Sequence, residues 1–163
     1  MLATDTLYGI VARAENRQAV ERLYSIKGRR PDKPLIILIA SIKDVERFGV
    51  EVNSELEKKL KDYWPGPVSI ILSCNNDKFE YLHRGTNSLA FRVPAKHSLR
   101  RMLHKTGPIV APSANPEGLE PARTIAQARA YFGDKIDFYR RGRTVQQPSR
   151  LIKIDGDTIT VLR

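Results

Sequence analysis

Three short segments of the sequence carry side chains that could do chemistry together. Thr4-Asp5-Thr6-Leu7-Tyr8-Gly9 sets hydroxyls and a carboxylate beside an aromatic ring and a glycine. A hydroxyl donates and accepts at once, which suits a small polar substrate; a turn into the first helix uses the same residue types. Lys27-Gly28-Arg29-Arg30-Pro31-Asp32-Lys33-Pro34 places four cations within residues 27–33, with a glycine and two prolines that make the run a fixed loop. Arg offers a planar fork and Lys a point charge, so such a loop can clamp a triphosphate. Cations behind a helix C-terminus also favour its dipole, and composition does not separate the two readings. Ala111-Pro112-Ser113-Ala114-Asn115 carries two short polar side chains two residues apart, after a strand, where α/β sheets place ligands. Ser and Asn are equally common in plain turns.

Other chemistries lack their residues. There is no Gly-x-x-x-x-Gly-Lys-Ser/Thr loop, no Gly-x-Gly-x-x-Gly turn and no Gly-x-Ser-x-Gly elbow. His83, His97 and His104 are not spaced as a metal set, and the lone Cys74 excludes an intrachain disulfide or a multi-cysteine zinc site. It reads as an inert thiol at a strand end. Lys and Arg outnumber Asp and Glu by 28 to 18, a net charge of +10 that points to an anionic partner. The longest apolar run, Leu35–Ala40, has the length of a strand rather than a membrane span, and no basic-then-apolar leader pattern opens the sequence. A cytoplasmic protein with no membrane association is expected.

The elements that must position these segments alternate between helix and strand. Asn16 caps a helix over about 17–27, and Pro34–Ala40 reads as a strand buried on both faces. Ser41 with Asp44 opens a short helix, Asn53 or Ser54 opens another, and Trp64-Pro65-Gly66-Pro67 turns rigidly into a strand over Val68–Ser73. Further on come a strand at Leu89–Val93, a helix over about 97–105, a strand at Pro108–Ala111, and a helix from Thr124 through Phe132 that Gly133 stops in the left-handed conformation. A hairpin closes the tail, Leu151–Ile154 and Thr158–Leu162 around Asp155-Gly156-Asp157. The pattern predicts one α/β domain over residues 1–163, a twisted mixed β-sheet with helices packed on it.

Taken in order, Thr-Asp-Thr-Leu-Tyr-Gly, Lys-Gly-Arg followed by Lys-Pro-Leu, Trp-Pro-Gly-Pro, Phe-Arg-Val-Pro and Pro-Ser-Ala-Asn resemble the YrdC/TsaC family, from Thr4 to Arg163. The resemblance implies the YrdC-like fold, also known as a double-stranded-RNA-binding fold. It implies an L-threonylcarbamoyladenylate synthase, which condenses L-threonine, bicarbonate and ATP to threonylcarbamoyl-AMP and pyrophosphate for the t6A modification of tRNA. On that resemblance Thr6, Tyr8, Arg92, Ala111 and Ser149 contact threonine. Lys27, Arg29, Lys33, Ser88, Ser113, Asn115 and Arg163 contact ATP, with Lys27 and Arg29 as the electrostatic catalysts and no protein nucleophile. Mg²⁺ accompanies the ATP, with Asp5 as the candidate ligand. Separate transfer proteins would carry the threonylcarbamoyl group to tRNA.

Departures from the family pattern set further expectations. Only Met1-Leu2-Ala3 precede the first motif, where members usually have a strand and helix, so an open sheet edge is expected. Ala3 replaces a common proline, Leu38 stands where some members have a threonine-binding histidine, Arg150 replaces a usual threonine, and the second domain of longer members is lacking. The alternative reading is a double-stranded RNA or tRNA module without synthase activity, resting on the charge of Arg100, Arg101, Lys105, Arg140, Arg141 and Arg143. Carbamoyl transfer through carbamoyl-AMP and an inactive remnant are the remaining readings.

Overall fold

Asn16 starts the first helix by accepting a hydrogen bond from the Ala19 amide at 2.9 Å; α1 runs Arg17–Lys27 until Gly28, at φ 61°, takes the left-handed conformation that ends it. In the computed structural model, which describes residues 1–163, nine strands and five α-helices follow one another: β1 (Leu2–Ala3), β2 (Tyr8–Gly9), β3 (Ala12–Arg13), α1, β4 (Ile36–Leu38), α2 (Ser54–Lys61), β5 (Val68–Ser73), α3 (Glu80–His83), β6 (Ser88–Arg92), α4 (His97–Thr106), β7 (Ile109–Val110), α5 (Ile125–Phe132), β8 (Arg150–Asp155) and β9 (Thr158–Val161). β1 and β2 form a two-stranded ribbon, and the other seven make one sheet in the order β3-β7-β4-β6-β5-β8-β9. The pairs β4·β6 and β5·β8 are parallel and the rest antiparallel, so the sheet is mixed, as expected.

Alternation along the strands builds two apolar layers. Ile37 and Ile39 join the main core with Phe48, Ile70, Leu89, Phe91 and Ile152. Leu38 and Ala40 face the other way, onto Leu99 and Leu103 of α4. β4 is thus buried on both faces, although pairing confines it to three residues of the predicted seven. Across the sheet from the main core, Ile36, Ala90, Arg92, Ile71 and Leu151 share a face that α4 leaves open. That open face is the floor of the site.

Two local details differ from the expectations. The segment opened by Ser41 is a 3₁₀ helix over Ile42–Phe48, in which the Asp44 carboxylate accepts from the Ser41 amide at 2.9 Å. Gly133 has φ 48° and ψ −132°, a positive φ outside the left-handed helical region, because the chain continues into a 3₁₀ turn, Gly133–Lys135. The strands β1–β3 and the short α3 had no sequence signal. Met1, Leu2 and Ala3 are buried, with the Met1 amine donating to the Phe138 carbonyl at 2.7 Å, while the sheet itself is edged by β3 and β9. No helix is long and apolar enough to cross a membrane.

Phe91 is fully buried, 5.3 Å from the Phe48 ring, and precedes Arg92 on β6. Phe91→Ala is expected to lower stability by about 3–5 kcal/mol and Phe91→Leu by less than about 1.5 kcal/mol, measured by urea unfolding.

Candidate active site

The Thr4–Leu7 turn is organised by one hydroxyl. Thr4 Oγ1 accepts from the Thr6 and Leu7 amides at 3.1 and 3.2 Å and donates to the Leu7 carbonyl at 2.7 Å. This turn carries Asp5 and Thr6 over the end of β6. There Arg92, 3% exposed, donates from Nη1 to Asp5 Oδ1 at 2.5 Å and from Nη2 to Thr6 Oγ1 at 3.3 Å. Its Nε is buried and has no partner.

Arg92 and Thr6 open into a cavity of about 670 Å³, within the size range of small-ligand sites. Ala111, Pro112 and Ser113 form one wall. Gly9 lies against them with the Pro112 carbonyl only 3.3 Å from where a Cβ would sit, so glycine permits the approach. The Tyr8 ring lines the cavity while its hydroxyl donates to the Gly142 carbonyl at 2.7 Å, tying the 142–149 segment to β2. Ser149, paired with Ser69 at 2.9 Å, and Arg163, whose Nη2 donates to the Ser149 carbonyl at 3.2 Å, close the opposite side. Ser88 and Thr86, hydrogen-bonded at 3.2 Å, stand at the mouth.

Arg29 is the cation of the 27–34 loop that reaches the cavity. Its Nε and Nη2 are anchored on the Lys33 and Pro34 carbonyls at 3.0 and 2.9 Å, and Nη1 makes no bond within the protein. The anchored fork has less side-chain freedom to lose on binding.

The structure brings Thr6, Tyr8, Arg29, Ser88, Arg92, Ala111, Ser113, Ser149 and Arg163 to one cavity, and it leaves Lys27, Asn115, Lys33 and Asp5 off the lining. Lys27 does not line the cavity. Its ammonium is saturated by the Ser113 carbonyl, the Asn115 carbonyl and Asn115 Oδ1 at 2.8, 2.6 and 2.9 Å, so it holds the Ser-x-Asn loop. Burial, and then the charge of Arg29, bring its pKa down to about 8. Asn115 is likewise inward, donating to the Pro116 and Leu119 carbonyls at 3.0 and 2.5 Å. Lys33 is paired with Glu117, whose carboxylate also accepts from the Arg30 amide at 2.6 Å and is held below its usual pKa by the Lys33 contact. Asp5 has one oxygen on Arg92, and the other accepts from the Ala95 amide at 2.9 Å. Nowhere do three or more His, Cys, Asp or Glu side chains converge on a metal position.

Sequence reading missed Thr4, Thr86, Arg123, Thr144 and Gln146, all of which line the cavity. Thr4 was visible as part of its motif. The others sit in loops whose approach depends on long-range contacts, such as the Gln146 amide donating to the Thr6 carbonyl at 2.9 Å.

Comparison with known proteins places this geometry among relatives. A family model, Sua5/YciO/YrdC, described as "Telomere recombination", matches residues 1–163. The chain is 35% identical over 155 residues to a threonylcarbamoyl-AMP synthase of Marinobacter nauticus, covering 93% of this chain and 82% of that protein. It is 36% identical over 133 residues to a threonylcarbamoyl-AMP synthase of Pyrococcus abyssi, covering 80% of this chain and 39% of that longer protein. The crystal structure of P. abyssi Sua5 complexed with L-threonine superposes with a TM-score of 0.89 at 32% identity, covering 99% of this chain and 48% of that one. The chain belongs to the Sua5/YciO/YrdC family.

Proposed function

We propose that this chain is a threonylcarbamoyl-AMP synthase acting in tRNA t6A formation, with L-threonine, bicarbonate and ATP as substrates and magnesium entering on the nucleotide. The observation that carries the reading is a single cavity holding two differently prepared guanidiniums. Arg92 is buried with a free N–H, suited to a carboxylate, and Arg29 is anchored with a free Nη1, suited to a phosphate. Relatives bear this name, and one is solved with L-threonine.

Condensation of the threonine amine with bicarbonate forms a C–N bond and releases water, giving a carbamate. A carbamate oxygen then attacks the α-phosphorus; the new P–O bond forms as the bond to the β-phosphate oxygen breaks, and pyrophosphate departs with the electron pair. Carbamate and triphosphate are both anions. Arg92 and Thr6 fix the threonine carboxylate at one end, while Arg29, Ser113, Ser88 and Arg163 hold the nucleotide at the other, and Lys27 adds a buried positive charge beneath the Ser113 loop. Bringing oriented reactants together is worth up to about 7–11 kcal/mol, so no protein nucleophile is required. Fixed cations further stabilise the charge growing on pyrophosphate.

A second reading, an RNA-binding face, is favoured by Arg101, Lys105, Arg140, Arg141 and Arg143, all exposed. Lys96 joins their two segments by donating to the Ala3 and Arg143 carbonyls at 3.2 and 3.3 Å. Arg100 is different: it braces the start of α4, donating to the Pro94 and Ala95 carbonyls at 2.7 and 2.6 Å. RNA affinity that falls steeply with salt and ignores ATP would support this face as the main activity.

Mass spectrometry of the chain incubated with MgATP, L-threonine and bicarbonate is expected to show threonylcarbamoyl-AMP, lost when threonine is omitted. Absence of product under these conditions would remove the synthase reading. Arg29→Ala is expected to lower kcat/KM for ATP by about 10²-fold in a pyrophosphate-release assay while the melting temperature stays near that of the parent chain. Lys27 carries its charge below pH about 8 and loses it above, so the KM for ATP is expected to rise as pH passes through that value. Between about 8 and the ordinary value of 10.5 the unfolded chain binds the extra proton, so this group favours folding as pH rises and the change in KM is not unfolding. A KM flat across that window would show that the Lys27 charge plays no part in nucleotide binding.

A further inference from the structure

Tyr24, buried on α1, does not line the cavity, yet it touches both segments that bring polar side chains to its nucleotide end. Its hydroxyl donates to the Lys33 carbonyl at 2.9 Å. The same oxygen accepts from Arg29 Nε at 3.0 Å, and the next carbonyl, of Pro34, takes Arg29 Nη2 at 2.9 Å. The Tyr24 carbonyl accepts from the Arg29 amide at 3.0 Å, so one residue acts on Arg29 through its backbone and through its guanidinium. Burial holds the Tyr24 hydroxyl above its usual pKa, and it keeps the proton that it donates. On its face the ring carries the Arg84 guanidinium, 4.1 Å from the centroid, and Arg84 Nη2 reaches back to Glu21 of the same helix at 3.0 Å. Arg84 opens a turn in which Arg84, Gly85 and Asn87 have φ of 53°, 80° and 50°, a backbone that two of these residue types adopt only when contacts impose it. His83 shares in imposing it: Nδ1 accepts from the Gly85 amide at 3.2 Å, and its carbonyl from the Thr86 hydroxyl at 2.6 Å. This turn delivers Thr86 and Ser88 to the mouth of the cavity.

We infer that Tyr24 is a positioning residue for the nucleotide: clamped by Arg84, its ring sets the hydroxyl that fixes the Lys33 carbonyl, and that carbonyl aims Arg29. The inference rests on Arg29 being a phosphate contact and goes beyond it, since the aim of Arg29 is assigned to a residue outside the cavity. Without the hydroxyl, the only side chain left on the Lys33 carbonyl is the Arg29 that this carbonyl has to hold. The guanidinium then regains freedom that binding must remove.

Calorimetry of MgATP and of L-threonine against the parent chain, Tyr24→Phe, Arg29→Ala and the double variant tests this. Tyr24→Phe removes one hydrogen bond and keeps the ring. It is expected to weaken ATP binding about fivefold with threonine affinity within about twofold of the parent, a split that general loss of structure would not give. In the Arg29→Ala background the same change is expected to alter ATP affinity by less than about twofold, because the group that Tyr24 aims is gone. Equal losses of ATP affinity in the two backgrounds, no loss in the first, or a matching loss of threonine affinity overturns the role of Tyr24. Arg84→Lys keeps the charge and lacks the planar stack. It is expected to weaken ATP binding in the same Arg29-dependent way, and it takes the place of Tyr24→Phe in the cycle should that variant not fold. Arg29→Ala separates the two levels. Unchanged ATP affinity in that variant removes the phosphate reading itself, and weakened affinity there with Tyr24→Phe unchanged removes only the role of Tyr24.

Discussion

Burying a guanidinium in the face of a β-sheet is the constraint around which the rest of this molecule is arranged. Arg92 sits at the end of β6 at 3% exposure, and a cation so far from water needs an anion and acceptors fixed in place. Asp5 provides the anion, which obliges the Thr4–Leu7 turn to lie over that strand end. The turn is in turn held by the ribbon of β1 and β2, by the Tyr8 hydroxyl on Gly142 and by the Gln146 amide on the Thr6 carbonyl. What remains incomplete is one N–H of the same guanidinium.

The second cationic centre follows a related logic with a different outcome. Lys27 ends α1 and is directed inward, where three oxygens of the Ser113–Asn115 loop take all its donors. Its charge lies beneath a wall of the site. Arg29, two residues on, is tied back by the Lys33 and Pro34 carbonyls and keeps one end free. A net charge of +10 therefore overstates what is offered to a ligand at the cavity. Several cations are engaged in surface pairs such as Arg22–Asp137, Arg30–Asp32 and Lys33–Glu117, which add little stability each, while Arg29, Arg92, Arg123 and Arg163 line the cavity.

Legibility in the sequence followed element length. α1, β5, β6, α4 and the closing hairpin of β8 and β9 were readable because caps, apolar periods and turn residues act within a few positions. The two-residue strands β1–β3 were not, since no apolar run marks them as Pro108–Ala111 marks β7, and the pairing of β3 with β7 and of Gly9 with Ser113 joins distant segments. In the site, motif residues announced that Thr6, Arg29, Arg92 and Ser113 belong together, and the cavity gathers them. The same motifs include Lys27, Asn115 and Asp5, which the structure holds in hydrogen bonds within the protein and off the cavity lining.

The sequence by itself determined the fold class, the cationic character, the lack of a Gly-x-Ser-x-Gly elbow or a cysteine framework, and the family whose motif set it carries. These rest on composition and on contiguous residues, where local sterics and capping act. Only the tertiary structure decided where each functional side chain points. Lys27 is directed by Asn115, 88 residues away, and Arg92 by Asp5, 87 residues away. A motif records that an ammonium or a carboxylate is present. Which oxygen or guanidinium satisfies it depends on desolvation and hydrogen-bond partners that exist only once the sheet has brought those segments together.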